Sequence, residues 1–423
     1  MKILLISANT EKISMPALPM GLGFVAEAVQ HAGHAVRFLD LMGTEAPHEM
    51  TENVLKAFQA DVIGISIRNV DDQASAAPRF LLREAAELVS LCRKFSSAPI
   101  VLGGAGYSLF PEAMLDYLDA DMGIQGEGEA AFAELVRRME TQKTLSGIPG
   151  LYIRGKGLQA PRVCIPPDQW SFPDPNLFDP ALSQNPAYYL PFHTRRGCPM
   201  KCSYCATSVI EGNLIRKCAA PSAVRELKKW REAGFSRIFF TDNTFNLPPS
   251  HAQQFCELLA AEISDLHWRC ILYPGYVTQN LAKVMAKSGC REVSLGFESG
   301  SDPVLRGMRK RFASKDIRES AQILTDAGIK FMGFLLLGGP DETRESVLES
   351  LEFADSLKPE SMKLTVGIRI YPHTRVAEIA RAESAITAED NLLFPKFYIK
   401  SGMEDWLRET VSQWLADRPN WLG

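Results

Sequence analysis

The feature that most constrains the fold is an alternation of short apolar runs with amphipathic runs, which occurs twice along the 423 residues. In residues 1–140, apolar stretches such as KILLISA and DVIGISI are separated by segments with apolar residues at helical spacing. Strands with nearly continuous apolar side chains are typical of parallel sheets that helices cover on both faces. The pattern predicts an α/β fold for this region, with a doubly wound, Rossmann-like parallel sheet.

A second series of strands and helices occupies residues 191–375 and contains six strand-like runs. Six βα units predict a partial (β/α)6 barrel that is open on one side. Residues 141–190, between the two series, are dense in Gly and Pro and are predicted to form a linker, with a small hairpin in 150–163. Residues 376–423 are predicted to be a short helical C-terminal extension.

Composition excludes several classes of function. The net charge is −4, so nothing points to nucleic acid or to an anionic membrane as a partner. No apolar run is long enough to span a bilayer, and MKILLISAN lacks the features of a signal peptide. The nine cysteines are mostly scattered, which suits a reducing cytoplasm. The basic run 306–311 is interpreted as a solvated face, with contact to a phosphate or acidic substrate as the alternative.

Three cysteines stand close together at Cys198, Cys202 and Cys205, with the spacing C-x3-C-x2-C. Iron–sulfur clusters are held by thiolates, normally four. A [4Fe–4S] cluster with only three protein ligands leaves one iron open to a substrate. The alternatives are unpaired thiols or a zinc site with His193 as a fourth ligand. The run follows the first strand of the second series, where barrel enzymes place their chemistry.

Polar residues follow several other predicted strands. Asp242 and Asn243 offer oxygen acceptors for an ammonium group, although such residues also favour capping turns. Glu298 can accept hydrogen bonds from a pair of ribose hydroxyls. In the first series, ligands are expected beyond the carboxyl ends of the strands. The residues found at those strand ends are Arg68, Asn69, Gly103, Gly104, Gly126, Glu127, Gly128 and Glu129.

The run TRRGCPMKCSYC resembles the cluster loop of radical S-adenosylmethionine (SAM) enzymes, whose open iron chelates the methionine part of SAM. The resemblance implies that Tyr204 packs near the adenine and that the segment TDNTFN, with Asp242 and Asn243, meets the amino group. It also implies that GFESGS, with Glu298 and Ser299, contacts the ribose. GFLLLGGP, with Gly338, resembles the strand that contacts adenine. YPHT resembles a P-G-T turn but departs from it in having His373 where Gly is usual.

Residues 1–140 resemble the cobalamin-binding domain found ahead of many radical SAM modules, through PMGLGFVAEAVQHAGH, GGAGYSLFPEAM and GIQGEGEAAFAELV. Glycine-rich strand ends let the backbone approach a flat corrinoid. The D-x-H-x-x-G signature, whose His ligates cobalt from below, is absent. The resemblance implies that the loop with Arg68 and Asn69 lies under the lower face of the corrin. A flavodoxin-like domain without cobalamin is the alternative.

The combined resemblance implies a cobalamin-dependent radical SAM enzyme with three cofactors: a [4Fe–4S] cluster, SAM and cobalamin. Reductive cleavage of SAM is expected to give a 5′-deoxyadenosyl radical that removes a substrate hydrogen, and methylcobalamin then methylates the unactivated carbon. The alternative is cyclisation or rearrangement without net methylation. A methylthiotransferase is set aside because residues 1–91 contain no Cys and the tail is short. A cobalamin sensor or carrier is disfavoured by the cluster loop.

The substrate is expected to be a small molecule, a lipid or a natural product, and the electron donor a flavodoxin or ferredoxin. No general acid or base can be assigned from the sequence. The strand-end candidates are Tyr273, Tyr276, Arg369 and His373.

Overall fold

The computed structural model describes residues 1–11 and 16–423, and it contains two seven-stranded sheets. The strands of the first are β1 (Lys2–Ser7), β2 (Ala35–Asp40), β3 (Val62–Ser66), β4 (Ile100–Gly103), β5 (Met122–Ile124), β6 (Leu151–Ile153) and β7 (Gly157–Leu158). The helices are α1 (Met20–His31), α2 (Pro47–Ala57), α3 (Leu82–Phe95), α4 (Ala105–Leu109), α5 (Pro111–Leu118) and α6 (Glu129–Glu140).

The strand order of the first sheet is β2-β1-β3-β4-β5-β6-β7, with β1 to β5 parallel. Residues 3–6 in β1 and 62–65 in β3 are almost wholly buried, because helices cover both faces of the sheet. The predicted doubly wound fold is confirmed. The order reverses between β1 and β3, which is where open α/β sheets bind their ligands.

The segment interpreted as a linker is partly built into this sheet. β6 pairs antiparallel with β5 and with β7, so the expected hairpin exists but continues the first sheet beyond residue 140. Three short 3₁₀ helices follow, and each begins with a proline because the fixed φ of proline suits a first helical position. They are Pro167–Gln169, Pro175–Leu177 and Pro180–Gln184.

The second half of the chain contains eleven strands. They are β8 (Leu190–Phe192), β9 (Arg195–Arg196), β10 (Arg216–Lys217), β11 (Arg237–Phe240), β12 (His267–Leu272), β13 (Cys290–Glu298), β14 (Lys330–Leu337), β15 (Ser361–Val366), β16 (Ile368–Arg369), β17 (Phe397–Tyr398) and β18 (Trp421–Leu422). The helices are α7 (Thr207–Glu211), α8 (Ala220–Glu232), α9 (Pro249–Glu262), α10 (Gln279–Lys287), α11 (Asp302–Gly307), α12 (Ser314–Asp326), α13 (Arg344–Ser356), α14 (Arg375–Ala382) and α15 (Glu404–Ala416).

The barrel sheet has the order β8-β11-β12-β13-β14-β15-β18, and all of its pairings are parallel. The six predicted βα strands are confirmed as an open, partial barrel. The predicted helical C-terminal extension contains most of α14 and all of α15, and also two short strands, since β18 pairs with β15 and β17 pairs with β16. Trp421 is buried in the barrel core, and this burial favours pairing of the last strand.

The two halves share hydrophobic cores. Leu18, Met20 and Phe24 of the first half pack into the barrel core. Residues of the segment 368–398, including Val376 and Tyr398, pack in the core of the first sheet. None of the helices in the described residues is both long and apolar enough to cross a membrane.

Candidate active site between the two domains

A cavity of about 400 Å³ lies between the carboxyl ends of the two sheets. From the first sheet it is lined by Ser66, Gly103 and Gly104, and from the barrel by His193 and Thr241, among others. Both sheets present to it the edge at which their fold classes bind ligands. The cavity is therefore the first place to test the expected cofactors.

The backbone of glycine residues forms the wall of this cavity that belongs to the first domain, where the sequence predicts glycine-rich strand ends. Gly104 has φ +98°, and a Cβ there would come within 2.5 Å of the Ile67 carbonyl oxygen, so only glycine fits. A Cβ on Gly103 would meet no atom within 4 Å and would occupy open space. Gly126 and Gly128 also line the cavity. The wall offers backbone to which a large flat ligand can approach closely.

Arg68 lines the same cavity, and Asn69 lines a small cleft beside it. Within the described residues, no acceptor lies within hydrogen-bond distance of the Arg68 guanidinium. Burial lowers the pKa of Arg68. A cation at the β3 end with no partner among the described residues is compatible with the predicted place of this loop under a bound ring, and the contact itself stays a prediction.

Glu127 and Glu129, which are predicted to contact cobalamin, line the cavity and also join the two domains. Arg216 donates to both Glu127 carboxylate oxygens, at 2.5 and 2.9 Å, and Arg196 lies 2.7 Å from Glu129. The Ile165 amide also donates to Glu127, at 2.6 Å. Because partners from the barrel domain engage both carboxylates, these two residues position the domains, and no local sequence pattern indicates those partners.

The cysteine loop joins β9 to α7. Gly197 precedes it with φ +87°, where a Cβ would lie 2.1 Å from the Leu214 carbonyl oxygen. The Cys198 amide donates to the Gly212 carbonyl at 3.1 Å, and the Cys205 Sγ lies 3.2 Å from the Thr207 hydroxyl. The loop is thus closed by backbone contacts at its base.

The three thiols are close enough to influence one another. Burial raises the pKa of Cys198 to about 11, and the charges of Cys205 and Cys202 add to the effect. Within residues 1–11 and 16–423, no three His, Cys, Asp or Glu side chains form a group placed to hold one metal ion. The donor set of three thiolates fits a cluster, which binds each thiolate to a different iron.

His193 is not placed as a further ligand beside the cysteines. Its Nε2 accepts from the Arg196 Nε at 3.0 Å, and its ring stacks on Phe24 and meets Trp170 edge-on. Burial, with the charges of Arg196 and Arg216, holds the pKa of His193 well below its usual range. His193 is therefore a neutral residue of the cavity wall.

Tyr204, Glu298 and Lys310 form a buried polar group beside the cysteine loop. The Tyr204 hydroxyl donates to Glu298 Oε1 at 2.9 Å. Lys310 Nζ lies 2.9 Å from the Tyr204 hydroxyl and 3.3 Å from Glu298 Oε1. The structure thus brings two predicted SAM contacts together and adds a lysine that the sequence interpretation had placed on a solvated face.

The charges of this group are coupled to the cysteine loop. Burial would lower the pKa of Lys310, but the charges of Glu298 and Cys202 outweigh it and the pKa is raised. Burial, together with the Glu298 charge, raises the pKa of Tyr204 well above its usual range. Glu298 has φ +68° at an irregularity in the pairing of β13 with β14. Left-handed backbone at a non-glycine residue is uncommon and is often found at functional sites.

Asp242 does not have a free carboxylate for a ligand. Its oxygens accept from the Thr194 amide and hydroxyl, both at 2.7 Å, and from the Arg195 amide at 3.1 Å. The side chain is fully buried and ties the end of β11 to the end of β8. Asn243 donates to Glu211 Oε2 at 2.6 Å, and its amide oxygen is not engaged by any described residue. Asn243 is thus the better placed of the two predicted amino-group contacts.

Ser299 and Gly338 also have internal roles. The Ser299 hydroxyl is buried between the Ser350 hydroxyl, at 2.8 Å, and the Ser301 amide, at 3.1 Å. Of the two predicted ribose contacts, only Glu298 keeps an oxygen that no described residue engages, and the contact itself stays a prediction. Gly338 has φ +96°, and its amide donates to Glu342. Its contact with adenine stays a prediction.

Three of the four strand-end candidates are engaged elsewhere or face outward. Arg369 is buried and lies 2.8 Å from Asp71 of the first domain, so it ties the domains together. The Tyr273 hydroxyl accepts from the Arg311 amide at 2.9 Å. His373 is exposed and has φ +62°, the conformation that glycine adopts most easily in such a turn. Tyr276 is half-buried against Tyr273.

Two family models match the chain: the B12 binding domain over residues 6–136 and the radical SAM superfamily over residues 193–354. The chain belongs to the cobalamin-dependent radical SAM enzymes. The first matched range runs from β1 into α6, and the second runs from the end of β8 into α13. Residues of both ranges border the cavity.

Among curated relatives, an uncharacterized methyltransferase of Pyrococcus horikoshii is 27% identical over 91% of this chain and 84% of its own. The tryptophan 2-C-methyltransferase of Streptomyces laurentii is 22% identical over 88% of this chain and 73% of its own. The structure of the radical SAM methyltransferase TsrM from Kitasatospora setae, with cobalamin and a [4Fe–4S] cluster bound, superposes with a TM-score of 0.85 at 21% identity. It covers 100% of this chain and 90% of that one. This last likeness shows the shared fold.

The site of this radical SAM protein includes residues that sequence reasoning missed. The missed side chains that pair across the cavity or the cysteine loop are Arg195, Arg196, Glu211, Arg216 and Lys310. Arg195 and Arg196 adjoin the cysteines and are almost completely buried, which is unusual for arginine. The one sequence feature that could have indicated these residues is the pair of adjacent arginines directly before the cysteine loop.

Proposed function

We propose that the protein is a radical SAM C-methyltransferase that transfers a methyl group from cobalamin to an unactivated carbon of a small molecule. The observation that carries the proposal is the cavity itself. Its wall combines the glycine-rich strand ends of the B12-binding domain with Arg196 and Glu211, which flank the cysteine loop. Both halves of the expected chemistry would thus meet in one enclosed space.

The residues present fit the expected groups. Cys198, Cys202 and Cys205 would hold the cluster, and the backbone at Gly103 and Gly104, with Arg68, would border the cobalamin. When bound, the cluster supplies the electron for cleavage of SAM to a 5′-deoxyadenosyl radical, and cobalamin supplies the methyl group.

The chain's own residues would bind and orient SAM. Glu298 keeps one carboxylate oxygen unengaged and can accept from ribose hydroxyls. The Asn243 amide oxygen can accept from the amino group, and the Lys310 ammonium offers a buried positive charge for the carboxylate. Because Asn243 and Glu298 sit at the ends of two different barrel strands and Lys310 is held between α11 and α12, the site is preorganised before SAM enters.

The domain interface would exclude water from the reaction. Arg196 lies between the rings of Phe24 and Trp170, at 4.7 and 4.6 Å, and pairs with Glu129. A closed and dry cavity protects a reactive radical from side reactions.

The comparisons favour methylation over cyclisation or rearrangement, since several relatives carry methyltransferase names. A second TsrM structure is described with its tryptophan substrate and a SAM analogue. We propose a small-molecule substrate here too, a low-potential electron donor such as flavodoxin or ferredoxin, and a cytoplasmic location. The cytoplasmic location is supported by the nine cysteines, which form no disulfide.

The test is anaerobic reconstitution with iron, sulfide and hydroxocobalamin, followed by incubation with methyl-labelled SAM, reductant and a panel of small molecules that includes tryptophan. We expect iron–sulfur and cobalamin absorption, deoxyadenosine release and one labelled product. Cys202→Ala should abolish deoxyadenosine formation and leave cobalamin bound, because the two groups are held by different domains.

Cys290→Ala is the matched control, since Cys290 is a buried barrel cysteine outside the loop. Deoxyadenosine release from Cys202→Ala at the normal rate would contradict the assignment of the cluster loop. Deoxyadenosine release with an unlabelled, rearranged product would replace methylation by the rearrangement alternative.

A further inference from the structure

Two segments of the barrel domain pack directly on the cysteine loop and bring basic residues to its outer side. The Ser203 amide, within the loop, donates to the Met308 carbonyl at 3.1 Å, and the Ser203 carbonyl accepts from the Val376 amide at 3.0 Å. The loop, the segment 306–311 and the start of α14 therefore form one continuous surface.

This surface carries exposed cations, and we call it the basic rim. Arg311 reaches the loop itself, with Nη2 3.5 Å from the Pro199 carbonyl oxygen. Lys201 lies inside the loop, between Cys198 and Cys202. The basic rim is formed by the exposed residues Lys201, Arg306, Arg309, Arg311 and Arg375.

The acidic residues nearby do not neutralise the rim. Exposed Glu378 pairs with Arg375 at 2.6 Å, and exposed Asp341 lies beside Gly307. The remaining cations of the rim form no salt bridge with the described residues, although the charge of Arg309 also acts on Glu378. The whole chain carries a net charge of −4, so a concentration of positive charge around one loop is a local feature.

We infer that the basic rim is the docking surface for an acidic, one-electron donor protein of the flavodoxin or ferredoxin class. The inference rests on the proposed function, which needs one electron per SAM cleaved. One electron leaves the donor's flavin or iron–sulfur centre, and the cluster gains it, passing from the 2+ to the 1+ state. Opposite charge on the partner accelerates encounter and orients its redox centre towards the cysteine loop.

The test compares two charge-reversal pairs in the reconstituted enzyme. The first pair, Lys201→Glu with Arg311→Glu, reverses two charges of the basic rim. Lys287→Glu with Arg291→Glu changes two exposed residues at the opposite, amino-terminal ends of the barrel strands. Both pairs change the net charge equally. Cluster reduction is followed by stopped-flow absorbance and by electron paramagnetic resonance, with reduced flavodoxin, reduced ferredoxin or dithionite as reductant.

We expect the rim variant to slow reduction by flavodoxin or ferredoxin about 10-fold or more at low salt, with the difference shrinking as salt screens the charges. Dithionite should reduce wild type and both variants equally, and the control pair should behave as wild type. Equal protein-driven reduction in the rim variant and wild type would overturn the docking site. Failure of dithionite to reduce any of the three proteins would instead contradict the proposed function.

Discussion

Arg216 of the barrel domain holds Glu127 of the B12-binding domain through two hydrogen bonds, of 2.5 and 2.9 Å. Both side chains are largely buried, at 14% and 7% exposure. Arg216 also donates to the Glu211 carbonyl at 2.8 Å, at the end of the helix that follows the cysteine loop. The pair therefore fixes the glycine-rich wall relative to that loop.

Glu127→Ala should destabilise the protein strongly. The variant leaves the Arg216 charge buried without its carboxylate, and breaking a buried pair costs about 3–5 kcal/mol. Glu262→Ala is the matched control, because the Lys228–Glu262 pair is 41% and 40% exposed and such pairs contribute about 0–1 kcal/mol. Urea unfolding of the cofactor-free proteins measures both. Equal midpoints for the two variants would contradict the role of the pair.

Lys310→Met should weaken SAM binding by about 10- to 100-fold, the range of a lost charge-assisted hydrogen bond of about 1.5–3 kcal/mol. Lys315→Met removes an exposed lysine five positions later and should have no effect. Equilibrium dialysis with the cluster-loaded enzyme gives the dissociation constants. Unchanged SAM affinity with Lys310→Met would confine Lys310 to a structural role.

Enlarging Gly103 should block cobalamin without harming the cluster. A Cβ at this position meets nothing within 4 Å, so Gly103→Ala should fold and bind cobalamin nearly as wild type does. Gly103→Leu projects a larger side chain into the cavity and should reduce cobalamin binding at least about 10-fold, a loss of about 1.4 kcal/mol. Cobalamin absorbance after gel filtration measures it, with iron content as the internal control. Full cobalamin binding by the leucine variant would place the ligand elsewhere.

Stability should fall as the pH rises from about 4.5 to about 7, owing to Glu342. Burial raises the pKa of this carboxyl from 4.5 to about 7, although the amides of Gly339 and Gly338 donate to it. The folded state then binds more protons than the unfolded state in this interval, so the free energy of unfolding decreases with pH, by on the order of 3 kcal/mol.

Glu342→Gln should remove this pH dependence of the free energy of unfolding. The glutamine amide cannot ionise, and its oxygen still accepts from the amides of both glycines. Unfolding in urea at several pH values measures the difference between the two proteins. Parallel pH profiles for Glu342→Gln and wild type would show that Glu342 ionises normally in the folded state.

Local patterns in the sequence were sufficient to predict the strands, the helices and the cluster loop. The fully apolar strands predicted parallel sheets, and C-x3-C-x2-C with Gly197 predicted the loop, since both depend on neighbours along the chain. The domain boundaries at 140 and 190 stay predictions, although β6 and β7 pair with the first sheet beyond residue 140.

Polar residues at strand ends were harder to assign. Asp242, Glu127 and Glu129 have the chemistry of ligand contacts, yet each is paired with an arginine that the sequence does not place beside it. Lys310 shows the opposite case, because it lies in a basic run but buries its ammonium against Glu298.

The sequence by itself determined which segments become strands and helices, and which cysteines are predicted to bind a cluster. Both follow from periodicity and spacing, which involve residues only a few positions apart along the chain. Only the tertiary structure decided which carboxylates remain free for ligands and which hold the two domains together. That choice depends on charges brought from distant parts of the chain, and a buried carboxylate is stabilised by whichever cation the fold places against it.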